Sequence, residues 1–391
     1  MQTQYEVIVV GGGITGAAIG YGLVKRGVKV CVMDSVPTHS RASRANMGLV
    51  WCQSKALGCP AYVRWGFESS RLYGALADDI METAGIDIGY SASGGIIPCL
   101  GEAELEQRSS MIEKLRAETV DGTYPARTLS RTELQQMLPN VDFGPEVSGG
   151  IWCSEDGIAS PLLLMFGLRR SLVRRGGTLL TECRVREVRR DGGGYALTTS
   201  QGVFGCEKLV LAAGLGTRAL GLQLGADIPV YPNRSQVLLL ERIPDILPIP
   251  LLGIARTKGG TVMIGAAHEN AGMDMTLRPE VMSQNAAWAM RVWPKLAALR
   301  VIRFWTGLRV WPKDAYPIYD RLPGHDNVYV FSMHSALTLA AALERHMPGF
   351  VCGEELHPDA QPMKLSRFDN GGKGFAGFAA CAPQHDGKTT R

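Results

Sequence analysis

Val7-Ile8-Val9-Val10-Gly11-Gly12-Gly13-Ile14-Thr15-Gly16 is the stretch on which the fold turns. Val7 to Val10 is a short β-branched run, suited to a parallel strand buried on both faces. Ala17 to Arg26 then reads as a helix with small residues on one side, stopped by Gly27. Val28 to Met33 is a second apolar strand and ends in Asp34, 23 residues after Gly11. This is β–α–β with G-x-G-x-x-G at the first turn. Gly11 permits the tight turn, Gly13 lets the backbone approach a pyrophosphate, and Gly16 lets helix and strand pack closely. The helix N-terminus presents N–H groups and partial positive charge to phosphate. Asp34 is placed to accept from both hydroxyls of an adenosine ribose. Strand, helix, second strand and terminal acid agree, so the segment predicts a dinucleotide site. It does not separate NAD from FAD.

The chain around it has 391 residues, 46% hydrophobic and 20% charged, enough for two or three domains' worth of core and too apolar for a disordered chain. The balance of 41 basic and 37 acidic residues, net +4, argues against nucleic acid or an anionic membrane surface as partner. No apolar run approaches the roughly 20 residues of a membrane span. MQTQYEVIVV has no basic flank or small-residue cleavage site. The expected location is cytoplasmic, with peripheral association to the respiratory chain as an alternative. Nine cysteines, an odd number with no C-x-x-C, predict reduced, buried thiols and no zinc, iron–sulfur or redox-disulfide site.

Further along, helical character is expected over 67–84, 102–118 and 130–138, the last with Ser130 and Glu133 as a capping box. Ser160-Pro161 marks another helix start, running to about Arg175. Strands are expected at Thr178–Cys183, Val185–Val188 and Tyr195–Ser200, with Asp191 to Gly194 as a hairpin turn. Leu209 to Gly214 is a buried strand ending in small residues, which let a ligand come close. Residues 228–265 read as mainly strand, 279–293 as helix and 301–309 as strand. Val328 to Phe331 is a last strand, followed by a helix expected from about Ala336 to Arg345.

The fold class is therefore α/β, with an α+β second lobe. A doubly wound, Rossmann-type FAD-binding domain is expected over 1–90, 151–226 and 307–370. It is interleaved with a mainly antiparallel substrate domain over 91–150 and 227–306, and followed by a flexible tail at 371–391. A substrate pocket belongs at the junction.

With these pieces placed, the chain resembles the D-amino-acid oxidase family of FAD enzymes, in the branch that holds glycine oxidase and sarcosine oxidase. The matching stretches are VIVVGGGITG (7–16), RASRANMGLVW (41–51), EDGIASPLLL (155–164), CRVREV (183–188), LVLAAG (209–214), WTGLRVWPKDAYPIYD (305–320) and MHSALTLAAAL (333–343). RASRANMGLVWCQSK looks most like the B subunits of octopine and nopaline (opine) oxidases, with the flavin subunit of hydrogen cyanide synthase next. The resemblance implies non-covalent FAD in an extended pose. Gly11, Gly13, Ile14, Thr15 and Gly16 would hold the pyrophosphate, and Asp34 with Ser35 the adenosine ribose. Ser43, Arg44, Asn46, Met47, Gly48 and Leu49 would run beside pyrophosphate and flavin. Val185 would meet adenine through its backbone, with Ala213 and Gly214 in the same groove. Ala336, Leu337 and Thr338 would face the flavin pyrimidine edge, where a helix starting near Ser335 would offer N–H donors to negative charge on the reduced ring.

The family oxidises a C–N bond next to a carboxylate. The α C–H leaves as hydride and the imine is hydrolysed. That chemistry needs a clamp placing the donor carbon about 3–3.5 Å from its acceptor, not an acid–base dyad. Arg309, in TGLRV, matches the family's carboxylate-binding arginine. A surface arginine in a salt bridge is the commoner fate of a single Arg. His334 matches a substrate-facing position, or is a satisfied histidine at a strand end. Lys55 and Gln53 are candidates for a loop over the flavin, with a solvated lysine as the plainer alternative. Glu269 and Tyr231 are weaker pocket candidates, and Trp311 and Tyr316 fit pocket or core. Ala336 stands where the family often has glycine. Trp311 and Lys313 depart from the family pattern after GLR, and Lys313 is a candidate to pair with a second acidic group on an opine.

The leading expectation is an FAD amine oxidoreductase subunit that cleaves an opine into an amino acid and a 2-oxo acid. The alternatives are glycine-, sarcosine- or proline-directed oxidation, cyanide formation included, and a flavin subunit serving mainly electron relay. In this branch partner subunits commonly carry a second flavin (FMN) and an iron–sulfur centre. Any such cluster must lie elsewhere, because this chain lacks cysteine clusters. An NAD dehydrogenase is disfavoured because the C-terminal third returns to the first domain.

Overall fold

The computed structural model describes residues 3–35, 42–119, 122–265 and 267–371. The tail expected at 371–391 and Arg41 of the RASRAN loop lie almost wholly outside them. Thr3–Val10 sits at the centre of an eight-stranded sheet, between Gly202–Leu211 and Val30–Met33, both parallel to it. Thr178–Leu180 continues the parallel set beyond Val30–Met33, and Val328–Ser332 continues it beyond Gly202–Leu211. Ile318–Arg321 closes that edge antiparallel, and the hairpin Val185–Asp191/Gly194–Thr199 joins Gly202–Leu211. Val7, Ile8, Val9 and Val10 are all buried, as a strand covered on both faces requires.

Helix Ile14–Lys25 packs against Ala340–Cys352 and Pro161–Arg174 over this sheet. The approach is close enough to need glycine. A Cβ on Gly22 would lie 2.2 Å from Glu344 O, and one on Gly16 would lie 1.8 Å from Gly11 O. The capping box at Ser130 forms, its hydroxyl accepting from Glu133 N while Glu133 accepts from Ser130 N. Ser160 caps the helix that begins at Pro161.

A second, antiparallel sheet runs Ile254–Arg256, Thr261–Gly265, Val230–Arg242 and Val301–Pro312. A three-stranded antiparallel sheet, Gly95–Leu100, Val147–Cys153 and Ala126–Ser130, stands beside it. This is the α/β class with antiparallel second-lobe sheets read from the sequence. The interleaved two-domain division stands as a proposal, its cuts moved to strand ends. Val147–Cys153 and Val301–Pro312 each run unbroken through positions 151 and 307.

One local expectation fails. The last helix starts at Ala340, not near Ala336, and Ser335–Leu339 is a turn. Tyr73 donates to Leu337 O (2.8 Å) and Ser69 Oγ donates to Thr338 O (2.8 Å), so side chains of the helix Pro60–Ala84 hold the turn. No helix among the described residues is long and apolar enough to cross a membrane, and none of their His, Cys, Asp or Glu side chains cluster to hold a metal ion.

Candidate active site

Two adjoining cavities open at the carboxyl ends of the parallel strands, where ligands of such sheets bind. The larger, about 1000 Å³, runs from Val185 past Gly11, Gly13, Ile14 and Thr15 to His334, Ala336 and Leu337. Asp34, Ser35, Ser43, Arg44, Asn46, Ala213 and Gly214 complete the sequence-derived part of its lining. The smaller, about 470 Å³, is lined by Asn46, Met47, Leu49, Gln53, Lys55, Arg309, Trp311, His334, Leu337 and Thr338. Asn46, Leu308, His334 and Leu337 belong to both. Gly16 and Gly48 line neither. Gly16 seats the helix on the strand, and Gly48 holds a left-handed turn (φ +89°) tied back to Asn46 Oδ1 by a 2.8 Å bond.

The larger cavity is shaped for a dinucleotide. Gly11 N donates to Met33 O (2.8 Å) and Ala212 N donates to Val10 O (2.9 Å), which pins the turn between two strand ends. A Cβ on Gly11 would stand 2.3 Å from Ala212 O. Helix Ile14–Lys25 has no side-chain cap at Gly13 and no acidic residue in its first turn. Its start is therefore fit for an anion. Ile14 N donates to Ser43 Oγ (3.1 Å), which ties the RASRAN loop to the same point.

Sequence reasoning missed Arg169. Its Nε donates to Gly12 O (2.6 Å) and its Nη2 pairs with Asp34 Oδ2. Arg169 and Asp34 are each 8% exposed. The signal was present, because Arg169 lies on the buried face of Pro161–Arg174, with Met165, Leu168 and Leu172. A charge on that face requires a partner.

In the smaller cavity the strand pairing builds the clamp. Asn233 stands opposite Arg309 across the antiparallel ladder. Arg309 Nη1 donates to Ala267 O (2.7 Å) and Asn233 Oδ1 (3.2 Å) and stands 2.9 Å from His268 Nδ1, and Nη2 donates to Ser235 Oγ (2.8 Å). Among the described residues Arg309 meets no carboxylate at ion-pair distance. Burial pushes the guanidinium down to about 10, against a weak upward pull from Glu269. The arrangement is a preorganised receptor for an incoming carboxylate.

His334 stands with its ring 4.6 Å from Trp311 and its Nδ1 3.3 Å from Ser335 Oγ. Burial first, and then Arg309, Lys55 and His268, hold it well below the usual histidine range, so it is uncharged at neutral pH. Lys55 Nζ donates to Trp51 O (2.8 Å) and Ser335 Oγ (3.2 Å). The stretch carrying it rests on Asp156, 1% exposed, whose carboxyl accepts from Cys52 N (2.6 Å), Gln53 N (3.2 Å) and Gln53 Nε2 (2.7 Å). Burial raises that carboxyl to about 7.

Four weaker candidates fall elsewhere. Glu269 lies outside both linings, spent on Arg234 (2.8 Å) and Gln236 (2.8 Å). Tyr231 is exposed under Arg218. Tyr316 is core. Lys313 lies over the Phe368 ring, outside both linings, because Val301–Pro312 has ended and its N–H turns to Pro229 O (2.9 Å).

Residues 6–347 match the model of the FAD dependent oxidoreductase (DAO) family. The chain is 33% identical to the B subunit of opine oxidase from Agrobacterium tumefaciens (strain Ach5), over 86% of this chain and 91% of that one. It is 27% identical to the HcnC subunit of hydrogen cyanide synthase from Pseudomonas protegens, over 94% and 96% of the two chains. The crystal structure of glycine oxidase from Geobacillus kaustophilus superposes with a TM-score of 0.86 at 26% identity, covering 93% of this chain and 99% of that one.

Proposed function

The chain belongs to the FAD dependent oxidoreductase family and is an FAD-dependent oxidoreductase of amino acids and amines; we propose that it cleaves a secondary amino acid of the opine type into an amino acid and a 2-oxo acid. One observation carries the site assignment. A half-buried guanidinium, Arg309, held by neutral acceptors among the described residues, opens onto a cavity that adjoins a dinucleotide cradle. Similarity to the opine oxidase relative supports the substrate.

Gly11, Gly13, Thr15, Ser43 and the helix start would hold the pyrophosphate of FAD, and Asp34, braced by Arg169, the ribose. Bound FAD supplies the two-electron acceptor that takes the α-hydrogen as hydride. Arg309 grips the carboxylate and fixes the α-carbon, an entropic advantage worth several kcal/mol in well-oriented systems. The substrate nitrogen enters as the free amine, and His334, uncharged and facing the cavity, places no further positive charge beside the lone pair that expels the hydride. Trp311 packs at a tilt against His334 and forms that wall of the cavity. The C=N bond formed by loss of hydride is hydrolysed, giving the amino acid and the 2-oxo acid.

Similarity to glycine oxidase and HcnC supports a second reading, oxidation of glycine or another small amine. Because the opine oxidase and cyanide synthase relatives are each named as one part of a larger enzyme, we also propose partner subunits that carry the onward redox centres. The test is the visible spectrum of the purified chain during anaerobic addition of octopine, nopaline, proline, glycine and sarcosine. Bleaching by the opines and not by the small amines is expected. Bleaching by glycine alone selects the second reading, and a yellow protein bleached by none refutes both.

A further inference from the structure

The cavity that holds Arg309 carries more positive charge than one carboxylate requires. Its lining has two basic side chains, Arg309 and Lys55, two imidazoles, His268 and His334, and no Asp or Glu among the described residues. Lys55 is presented by a strained stretch, with Ser54 at φ +56° and Ala56 at φ +74°. Such strain persists only where surrounding structure over-determines it and concentrates at ligand sites. Three hydrogen bonds to Asp156 supply that constraint, all from Cys52 and Gln53. Trp51 O and Ser335 Oγ orient the Lys55 ammonium toward the cavity wall that carries His334.

Gln53 adds an independent sign. It is 0% exposed, and its Nε2 is committed to two acceptors, Gly95 O (2.9 Å) and Asp156 Oδ2 (2.7 Å). The amide therefore cannot be turned over, and Oε1 is a buried acceptor that meets no donor among the described residues. Gln53 is thus locked in place beside Lys55, and the small cavity is lined by two basic donors, Arg309 and Lys55.

We propose that Lys55 receives a second anionic group of the substrate while Arg309 holds the first, so that the site selects a secondary amine bearing a carboxylate on each side of its N–H. This rests on the amine-oxidation reading above and adds to it the residues that decide substrate class. A substrate with an apolar second arm would bury the Lys55 charge against carbon, which is unfavourable. A dicarboxylate meets Arg309 and Lys55 at once.

The test uses the FAD-loaded full chain and two ligands it cannot oxidise, diglycolate with two carboxylates and methoxyacetate with one. Dissociation constants are read from perturbation of the flavin spectrum. A charge-assisted hydrogen bond predicts that the unaltered protein binds diglycolate about 10–100-fold more tightly than methoxyacetate. Lys55→Met should bring that ratio to within about threefold of one, Lys55→Arg should restore it, and Arg309→Met should weaken both ligands. A ratio near one in the unaltered protein overturns the proposal whatever the variants do, and so does a ratio that Lys55→Met leaves intact. The two readings fail separately. A protein bleached equally by N-propylalanine and by its dicarboxylate counterpart keeps amine oxidation and loses this inference. A protein bleached by no amine loses amine oxidation, and the ligand pair still decides the dianion site.

Discussion

Replacing Arg169 by leucine separates the cofactor cradle from the rest of the fold. Asp34 and Arg169 have side chains 10% exposed and are paired through Oδ2 and Nη2. Arg169 Nε also holds Gly12 O at 2.6 Å, inside the G-x-G-x-x-G turn. Arg169→Leu leaves a buried carboxylate without this partner and Gly12 O without this donor. Breaking a buried pair from one side costs about 3–5 kcal/mol. Stranding the carbonyl adds about 1–3 kcal/mol. Denaturation of the FAD-free protein is expected to show a loss of roughly 4–6 kcal/mol, within the sum of those ranges. FAD affinity, read by fluorescence titration, is expected to fall in parallel, because the turn and the ribose acceptor are both released. The double variant Asp34→Asn/Arg169→Leu should recover several kcal/mol of stability, since no buried charge remains, without recovering FAD binding. A loss below about 1 kcal/mol in the single variant, within the range of an exposed pair, would refute the reasoning. So would a double variant no more stable than the single.

Arg309→Met should lower kcat/KM for carboxylated amines about 100–1000-fold, as expected for losing two charge-assisted hydrogen bonds; steady-state kinetics against the methyl ester of the same substrate, which lacks the anion, should show a much smaller change. Asp156 is raised by burial from 3.8 to about 7, so its contribution to stability is full below about pH 4 and is lost as pH rises to about 7. The total is on the order of 4 kcal/mol, and Asp156→Asn should flatten the difference between denaturation curves at pH 5 and pH 8 relative to the unaltered chain. Gly16→Ala forces a Cβ to within 1.8 Å of Gly11 O, so purified protein should carry little FAD by absorbance ratio.

The two halves of the site differ in how far they could be read, and the difference is one of sequence separation. The cradle is built from neighbours in the chain: a strand, four glycines, a helix start and an acid, each with a local reason to be where it is. The clamp is built by pairing distant residues. Arg309 reaches Asn233 across 76 residues, Lys55 reaches Ser335 across 280, and Arg169 reaches Asp34 across 135. Nothing periodic marks Asn233 and Ser235 as partners of a guanidinium until Val230–Arg242 is laid against Val301–Pro312 in register. The same distance explains the two misplacements. Lys313 follows Arg309 by four residues and was expected in the pocket with it, yet the strand ends between them and the chain turns away. ALTLAAAL (336–343) has the local propensity of a helix, but its first turn is held open by Ser69 and Tyr73 from another helix. Tertiary contacts outweigh the tenths of a kcal/mol that propensity supplies. That open turn has a consequence for the chemistry. Thr338 Oγ1 accepts from Trp51 N (3.1 Å), so the segment beside the cradle and the segment carrying Lys55 are fastened to each other. The segment that presents Lys55 and the turn that borders the cofactor cradle are therefore joined directly. If Lys55 receives the substrate's second arm, that arm would be placed by a segment hydrogen-bonded to the wall of the cofactor cradle.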